Sequence, residues 1–592
     1  MNTDIKKTSG LVTYTLLVDG AEADQPLEIL SIRTHKEVNR IPYARITLID
    51  GDVAIGDFEV SNSEDFIPGK ELVIQAGYES ENDDVFIGTI TKHSIKIREG
   101  RSVLILECRD DTAKMTIGRN SDYFYELKDS EIIEEITGKY GLETEIEPTD
   151  VVHKEMVQYE ATDWDFILSR AEANGKVIVV EDGKLSAVSP DEGQSPEVEL
   201  IYGDSIIELE AEVEARTQYA GTAGASWDPS GQAMIEEEGE NLEISDPGNL
   251  SPTDLADIAS PETVQMKHGG AVTGEELKAW ADAKFLKSSF SRVRGWIKCP
   301  GLSGIKLGTV ITVSGVGERF NGNVYISAVK HEIFEGNWTT DIQFGLSTDW
   351  FAEKHGITSP PAGGLLPGVH GLQIGIVKQV GEDPDGEHRI LVVTPNISEE
   401  KDGLWARVAA SDAGDSRGIF FRPEIDDEVV IGFLQDDPRY PVVLGMLHSS
   451  AKPAPLEASD DNNEKGIITK SEMKVLFNDE DPSLLISTPG GNEISLSESD
   501  EAITIKDQND NKIAMTADGI EIESSKDLIF KAAGDVKIEG TNIESVASGD
   551  AKTEGVNIEI KASAEFKADG GAGAEVTTGA IAVLKGSLVQ IN

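Results

Sequence analysis

Cysteine is almost missing from this sequence: Cys108 and Cys299 are the only two in 592 residues. A distant pair excludes a disulfide framework, and free thiols in a chain made in the cytoplasm are the expectation. Basic residues are also scarce. Against 108 Asp and Glu stand 52 Lys and Arg, a net charge of −56. That balance excludes nucleic acid and anionic membrane surfaces as direct partners, and it favours the solubility of a large assembly. No apolar run approaches the roughly 20 residues that span a bilayer. The first residues, Met1-Asn2-Thr3-Asp4-Ile5-Lys6-Lys7, are not followed by the apolar stretch of a signal peptide. Export, if it occurs, is therefore expected by a route other than general secretion.

Catalytic patterns are missing too. The nine histidines form no H-E-x-x-H and no pair at ligand spacing. No nucleophile elbow and no P-loop are read from the chain, so no enzyme activity and no cofactor are expected. Cys108 sits in an alternating strand, and Cys299 precedes Pro300; both read as structural. Asp507-Gln-Asn-Asp-Asn511 begins like a calcium loop, but Lys512 stands where the sharp turn needs Gly and Asp518 where Glu is usual. A polar corner is the better reading, and no metal ligand is assigned; ions on a needle axis are left without ligands.

What is present is a repeat. From Gly491 to Asn592 pairs of apolar residues one apart alternate with polar turns: Ile494/Leu496, Ile503/Ile505, Ile513/Met515, Ile520/Ile522, Leu528/Phe530, Val536/Ile538, Ile558/Ile560, Ala564/Phe566 and Ile581/Val583. A period of two means strands with one buried face. From Ile513 to Ile558, with Ile543 and Ala551 holding the register, the starts advance by seven or eight residues, too short for one chain to enclose a core. A lone ribbon leaves its apolar face and edges open, so the reading is a trimeric, intertwined β-helix, a triangular prism. Its core is assigned to Ile494, Leu496, Ile503, Ile505, Ile513, Ile520, Ile522, Leu528, Phe530, Val536, Ile538, Ile558, Ile560, Ile581 and Val583, with interchain hydrogen bonds as the ladder.

Upstream, strands are expected at Tyr43–Asp50, Leu72–Tyr78, Val85–Ile90 and Val103–Cys108. Ser130 and Thr162 read as helix N-caps, the latter with Asp165, and Thr273 with Glu276 opens a helix to about Ser288. Residues 221–270, rich in Gly, Pro, Ser and acids, read as a long insertion or loop. Pro360, Pro361, Gly363, Gly364 and Pro367 mark a linker. Strands Ile374–Val380, Arg389–Thr394, Leu404–Val408, Gly418–Phe421, Glu428–Phe433 and Val442–Met446 suggest a small barrel of the OB type.

Several segments match a family pattern in order: Phe66-Ile-Pro-Gly69 with Gly77-Tyr78, Thr162-Asp-Trp-Asp-Phe166 running to Arg170-Ala-Glu-Ala-Asn-Gly175, Trp405-Ala-Arg-Val408, Pro423-Glu-Ile-Asp-Asp-Glu-Val429, Gly432-Phe433, and Asp437-Pro438 to Pro441-Val-Val-Leu-Gly445. The chain resembles VgrG, the spike of type VI secretion systems, and the hub and spike of contractile phage tails. The resemblance implies a mainly β protein: tandem hub barrels with a few helices over residues 1–357, a linker at 358–371, an OB-fold neck at 372–450, a linker at 451–466 and a needle at 467–592. It implies a homotrimer that meets tail tube and baseplate proteins, carries effector cargo, and moves from the cytoplasm to the outside as part of the injection apparatus. The blunt end, Lys585, Gly586, Ser587, Leu588, Val589, Gln590, Ile591 and Asn592, is implied to dock a PAAR-type tip protein. The phage relatives insert a lysozyme domain between barrel and prism, and some VgrG chains add an effector after the needle. Here fewer than about twenty residues separate barrel and repeat, which leaves no room for the former, and the sequence stops at Asn592. The rival, a tailspike or fibre that binds or degrades surface polysaccharide, predicts aromatic sugar platforms, yet residues 491–592 hold no Trp or Tyr and only Phe530 and Phe566.

Overall fold

The computed structural model describes residues 10–23, 26–240, 247–259, 262–354, 356–398 and 400–591. Two compact units divide it at Leu447 and His448. The first unit opens with a 13-stranded sheet that joins the two ends of the hub region. The strand Gly322–Phe334 is its hinge: on one side it pairs with Asn337–Phe344, on the other with Ile29–Glu37, some three hundred positions earlier. The tandem barrels expected from sequence are therefore two cores wrapped by one continuous sheet. One core gathers Leu16, Ile32, Ile46, Phe66, Leu72, Phe86 and Leu104, and Ile333 and Trp338 reach into it from the far end of the hub. The other is built around Ile297, Ile311, Tyr325 and Ile342. Cys108 and Cys299 are fully buried, one in each core, and desolvation raises both thiols to about 12. Neither thiol reaches the thiolate form that reactivity requires.

Glycines of the family pattern are explained by close approach. A Cβ on Gly77 would lie 1.7 Å from the backbone oxygen of Glu81, its neighbour across a tight hairpin. Gly77→Ala is expected to force that hairpin apart and to cost about 3 kcal/mol, read as a lower urea midpoint with unchanged m.

Two helices, Asp129–Gly138 and Asp163–Ala173, pack a third core with Phe124, Trp164 and Ile178. Thr162 caps the second through Asp165 N, and Thr273 caps Gly274–Phe290 through Glu276 N, as the capping boxes indicate. The first helix begins one residue before the expected cap. Glu131 accepts from Lys128 N at 2.8 Å, while Ser130 is buried against Thr149. The expected loop over 221–270 is largely ordered structure: strands Thr222–Asp228, Ala233–Glu238 and Val264–His268 form a small sheet, with a helix at Pro252–Ala259. Its polar composition hid it because the buried side chains of its first strand are small, Thr222, Ala223, Ala225 and Ser226, while the aliphatic Leu277 that covers them belongs to the Thr273-capped helix outside this stretch.

The small barrel closes with five strands: Gln373–Gln379, Ile390–Val393, Leu404–Val408, Pro441–Met446 and Glu428–Phe433. Val377, Ile390, Val392, Ala406, Val429, Ile431 and Val443 fill it. The expected strand Gly418–Phe421 is not one of its staves. Only Arg417–Gly418 pairs, in a short hairpin with Ala413–Gly414, and Phe420 and Phe421 are exposed.

Candidate trimerisation surface

The second unit has two parts. Residues 464–523 form a seven-stranded antiparallel meander of five-residue strands, each paired to the next within the chain. The register lines up two apolar rows on one face. One row reads Ile467, Val475, Ile486, Ile494, Ile505, Ile513, Ile522. The other runs Phe477, Leu484, Leu496, Ile503, Met515, Ile520. Ser495, Thr504 and Glu521 alternate with them and point to the opposite face. In a single chain the rows stay about half open: Ile494 and Leu496 are 39% exposed, and Ile503 and Ile505 are 43% exposed. A contiguous apolar face of this length marks an interaction surface.

This meander corrects one expectation. Over residues 464–523 the strand ladder is made inside the chain, not between chains. Of the assigned core, Ile494, Leu496, Ile503, Ile505, Ile513, Ile520 and Ile522 lie in the two rows. Ile467, Val475, Phe477, Leu484 and Ile486 belong to the same rows and were missed; the apolar pairs Val475/Phe477 and Leu484/Ile486 already carried the same one-apart signal. The meander also begins at Glu464, inside the stretch read as linker.

The remaining assigned residues, Leu528, Phe530, Val536, Ile538, Ile558, Ile560, Ile581 and Val583, fall beyond Glu523. Among the described residues no strand pairing is present from 524 to 591, and every residue from 526 to 591 is exposed. Ile538 is 74% and Ile581 81% exposed. Backbone groups in a packed protein need partners, and beyond a few side-chain bonds, such as Ser525 N to Asn511 and Ala580 N to Thr578, this stretch has no backbone ladder in its own chain. Lys585 through Ile591 are exposed and without secondary structure. Asn592 lies outside the described residues.

The polar corner at Asp507 is a hairpin turn. Asn511 Nδ2 donates to Asp507 at 2.8 Å, and the amides of Asn509 and Asn511 donate to it as well. The Asn511 side-chain bond, followed by these amides, lowers the carboxyl to about 2. All of these contacts serve the turn itself.

One sequence reading is corrected outright. Gly414-Asp415-Ser416-Arg417-Gly418 does have the spacing of a nucleophile elbow. In the structure it is the tip of the exposed hairpin Ala413–Gly418, with Ser416 Oγ donating to Asp415 at 3.1 Å and Arg417 bound to Asp412. The strand–turn–helix context of an elbow is absent there.

The hub residues of the family pattern serve structure. Asp129, 1% exposed, accepts from Arg170 Nε at 2.6 Å and Nη2 at 2.9 Å, from Asn174 Nδ2 at 2.8 Å, and contacts His153 Nε2 at 2.9 Å. Burial alone raises its carboxyl, but the bonds from His153, Arg170 and Asn174 prevail and hold it well below the ordinary carboxylate range. Asp163, also 1% exposed, accepts from Tyr140 and Gln158. In the barrel, Arg439 forks onto Asp437 at 3.0 and 2.7 Å.

Comparison with known proteins follows this division. Residues 373–448 match the model described as the type VI secretion system/phage-baseplate injector OB domain, and residues 483–544 match the phage baseplate V C-terminal trimerisation domain. The spike protein VgrG3 of Vibrio cholerae is 29% identical over 82 residues, 14% of this chain and 8% of that protein. VgrG4b of Pseudomonas aeruginosa is 37% identical over 59 residues, 10% of this chain and 7% of its own. The chain thus spans less than a tenth of the length of these two relatives in the matched region. The 43 kDa tail protein of prophage MuSo2 from Shewanella oneidensis aligns at a TM-score of 0.44 and 11% identity, covering 57% of this chain and 98% of that one. The class is that of VgrG-type spikes, shared by type VI secretion systems and phage baseplates. The Alg8 N-terminal domain model matches residues 8–335, more than half of the chain, and the chain belongs to that family.

Proposed function

We propose that three copies of this chain assemble into the central spike of a contractile injection system. The observation that carries this is the pair of half-open apolar rows on the meander, followed by a stretch with no intrachain ladder, in a segment that matches a trimerisation domain. Three meanders facing one another bury the rows, and three extended tails winding together supply the missing backbone partners. Such a rod has no free edge to peel. Its work is mechanical: sheath contraction drives the tube forward, and the spike transmits the force, punctures the target envelope and carries effectors with it.

In this reading the hub meets tail tube and baseplate proteins, and the segment Lys585–Asn592 receives a PAAR-type tip protein. The spike acts without catalysis. It is made in the cytoplasm and leaves it with the apparatus. The deciding measurement is the solution mass of the purified chain by light scattering. A mass near three times 63.8 kDa is expected; a monodisperse monomer overturns the assignment.

A further inference from the structure

The hub encloses a cavity that the spike reading does not use. Its volume is about 360 Å³, within the range of small-ligand sites. Val38, Val177, Leu286 and Leu346 give it apolar walls. Phe351 and Lys354 line it from the segment that follows the last hub strand. That segment is pinned in place: Glu172 accepts from the Phe351 amide and pairs with Lys287, which also donates to the backbone oxygen of Asp349.

Two independent features of this cavity ask for a ligand. The first is Ser327. It lines the cavity and is 3% exposed, yet its Oγ has no hydrogen-bond partner among the described residues. A buried hydroxyl left unpaired is destabilising, and a ligand that pairs it removes that cost. The second is a small excess of positive charge on its wall, Arg40, Lys176, Lys287 and Lys354 against Glu37, Glu172 and Asp349, in a chain of net charge −56. Lys287 and Lys354 line the cavity, and Lys284 stands beside them; Lys284 and Lys287 lie 4.9 and 5.5 Å from the centre of the same Trp350 ring. Burial first, and then repulsion from Lys284 and Lys354, work against the Lys287 ammonium and lower its pKa, although Glu172 is its partner.

We propose that this cavity binds an organic carboxylate: the apolar body lies against Val38, Val177 and Leu346, the Ser327 hydroxyl completes its hydrogen bond on the ligand, and the carboxylate meets Lys287 and Lys354. The chemistry is the same for a free organic acid and for the C-terminal residue of a peptide. The site is independent of the spike assignment and stands or falls separately from it.

The test is calorimetric titration of the full chain, at fixed salt, with three probes: hexanoate, N-acetyl-leucyl-leucine and hexan-1-ol. Saturable binding of a carboxylate probe, one per chain and at least tenfold tighter than hexan-1-ol, is expected. Tighter binding of hexanoate identifies a free acid, and tighter binding of the peptide identifies a terminal residue; equal binding supports the carboxylate site for both. Lys354→Met, at an exposed position, is expected to weaken binding about tenfold, and Ser327→Phe to abolish it by filling the cavity. Solution mass and circular dichroism check that each variant folds; if Ser327→Phe does not, Lys354→Met carries the test. Absence of carboxylate binding, equal binding of hexan-1-ol, or wild-type affinity in Lys354→Met overturns the proposal and leaves a water-filled void.

Discussion

Ile538→Asp is expected to reduce the solution mass of the full chain from about three times 63.8 kDa to a single copy. Ile538 is 74% exposed in one chain and lies where no intrachain strand pairing exists. Everything that orders this stretch must then come from other copies. In the trimer each chain places one carboxylate on the same axis, and burying an unpaired charge costs several kcal/mol or more per site. Ile538→Val, which keeps the site apolar, is expected to leave the trimer intact. Ile522→Asp provides the contrast. Ile522 pairs with Ile513 inside the meander, so its own strand retains a ladder while the apolar row is interrupted. Loss of the trimer is expected there too, with the strand signal in circular dichroism better retained than in Ile538→Asp. If Ile538→Asp runs as a trimer at micromolar concentration, the proposed axis is wrong.

The second large effect concerns the hub. Asp129→Asn is expected to destabilise it by about 3–5 kcal/mol, the usual cost of removing one partner from a buried ion pair. Arg170 is left with Glu276, at 3.6 Å, as its nearest carboxylate, and the bonds from Asn174 and His153 lose their ionised acceptor. The measurement is the urea midpoint of hub unfolding. The sign of the pH dependence follows from the same contacts. The folded carboxyl is held below its unfolded value of about 3.9. Its contribution is therefore complete above about pH 5 and is lost as pH falls toward the lower, folded value. The wild-type hub is expected to lose stability below about pH 4 more steeply than Asp129→Asn. Parallel profiles for the two proteins would show that Asp129 carries no such linkage.

Much of the fold was legible along the chain because its signals are local. The strands Tyr43–Ile49 and Glu71–Tyr78 alternate with period two, and the caps at Thr162 and Thr273 need only residues three apart. Residues 221–270 were misread because their sheet is covered through small side chains, which carry little hydropathy signal. The hairpin at Gly414–Gly418 shows the reverse case. A chemical spacing was present in the sequence, and only its backbone context showed that it lies on a hairpin and not on a strand–turn–helix elbow.

The class of protein was legible in the sequence through a family resemblance carried by segments such as Thr162–Phe166 and Trp405–Val408. The run of one-apart apolar pairs separately demands partners for an open face, whatever the detailed path of the chain. Only the tertiary structure decided where those partners are needed. It placed Ile467 through Ile522 in a ladder of the chain's own making and left residues 524–591 without one. It joined Ile29–Glu37 to Gly322–Phe334 in a single sheet, and it brought Asp129 against Arg170 and Ser327 to the wall of a cavity. The reason is physical. Alternation fixes which face of a strand is apolar, but hydrogen-bond pairing and cavity walls depend on contacts between segments hundreds of residues apart, and no local pattern encodes them.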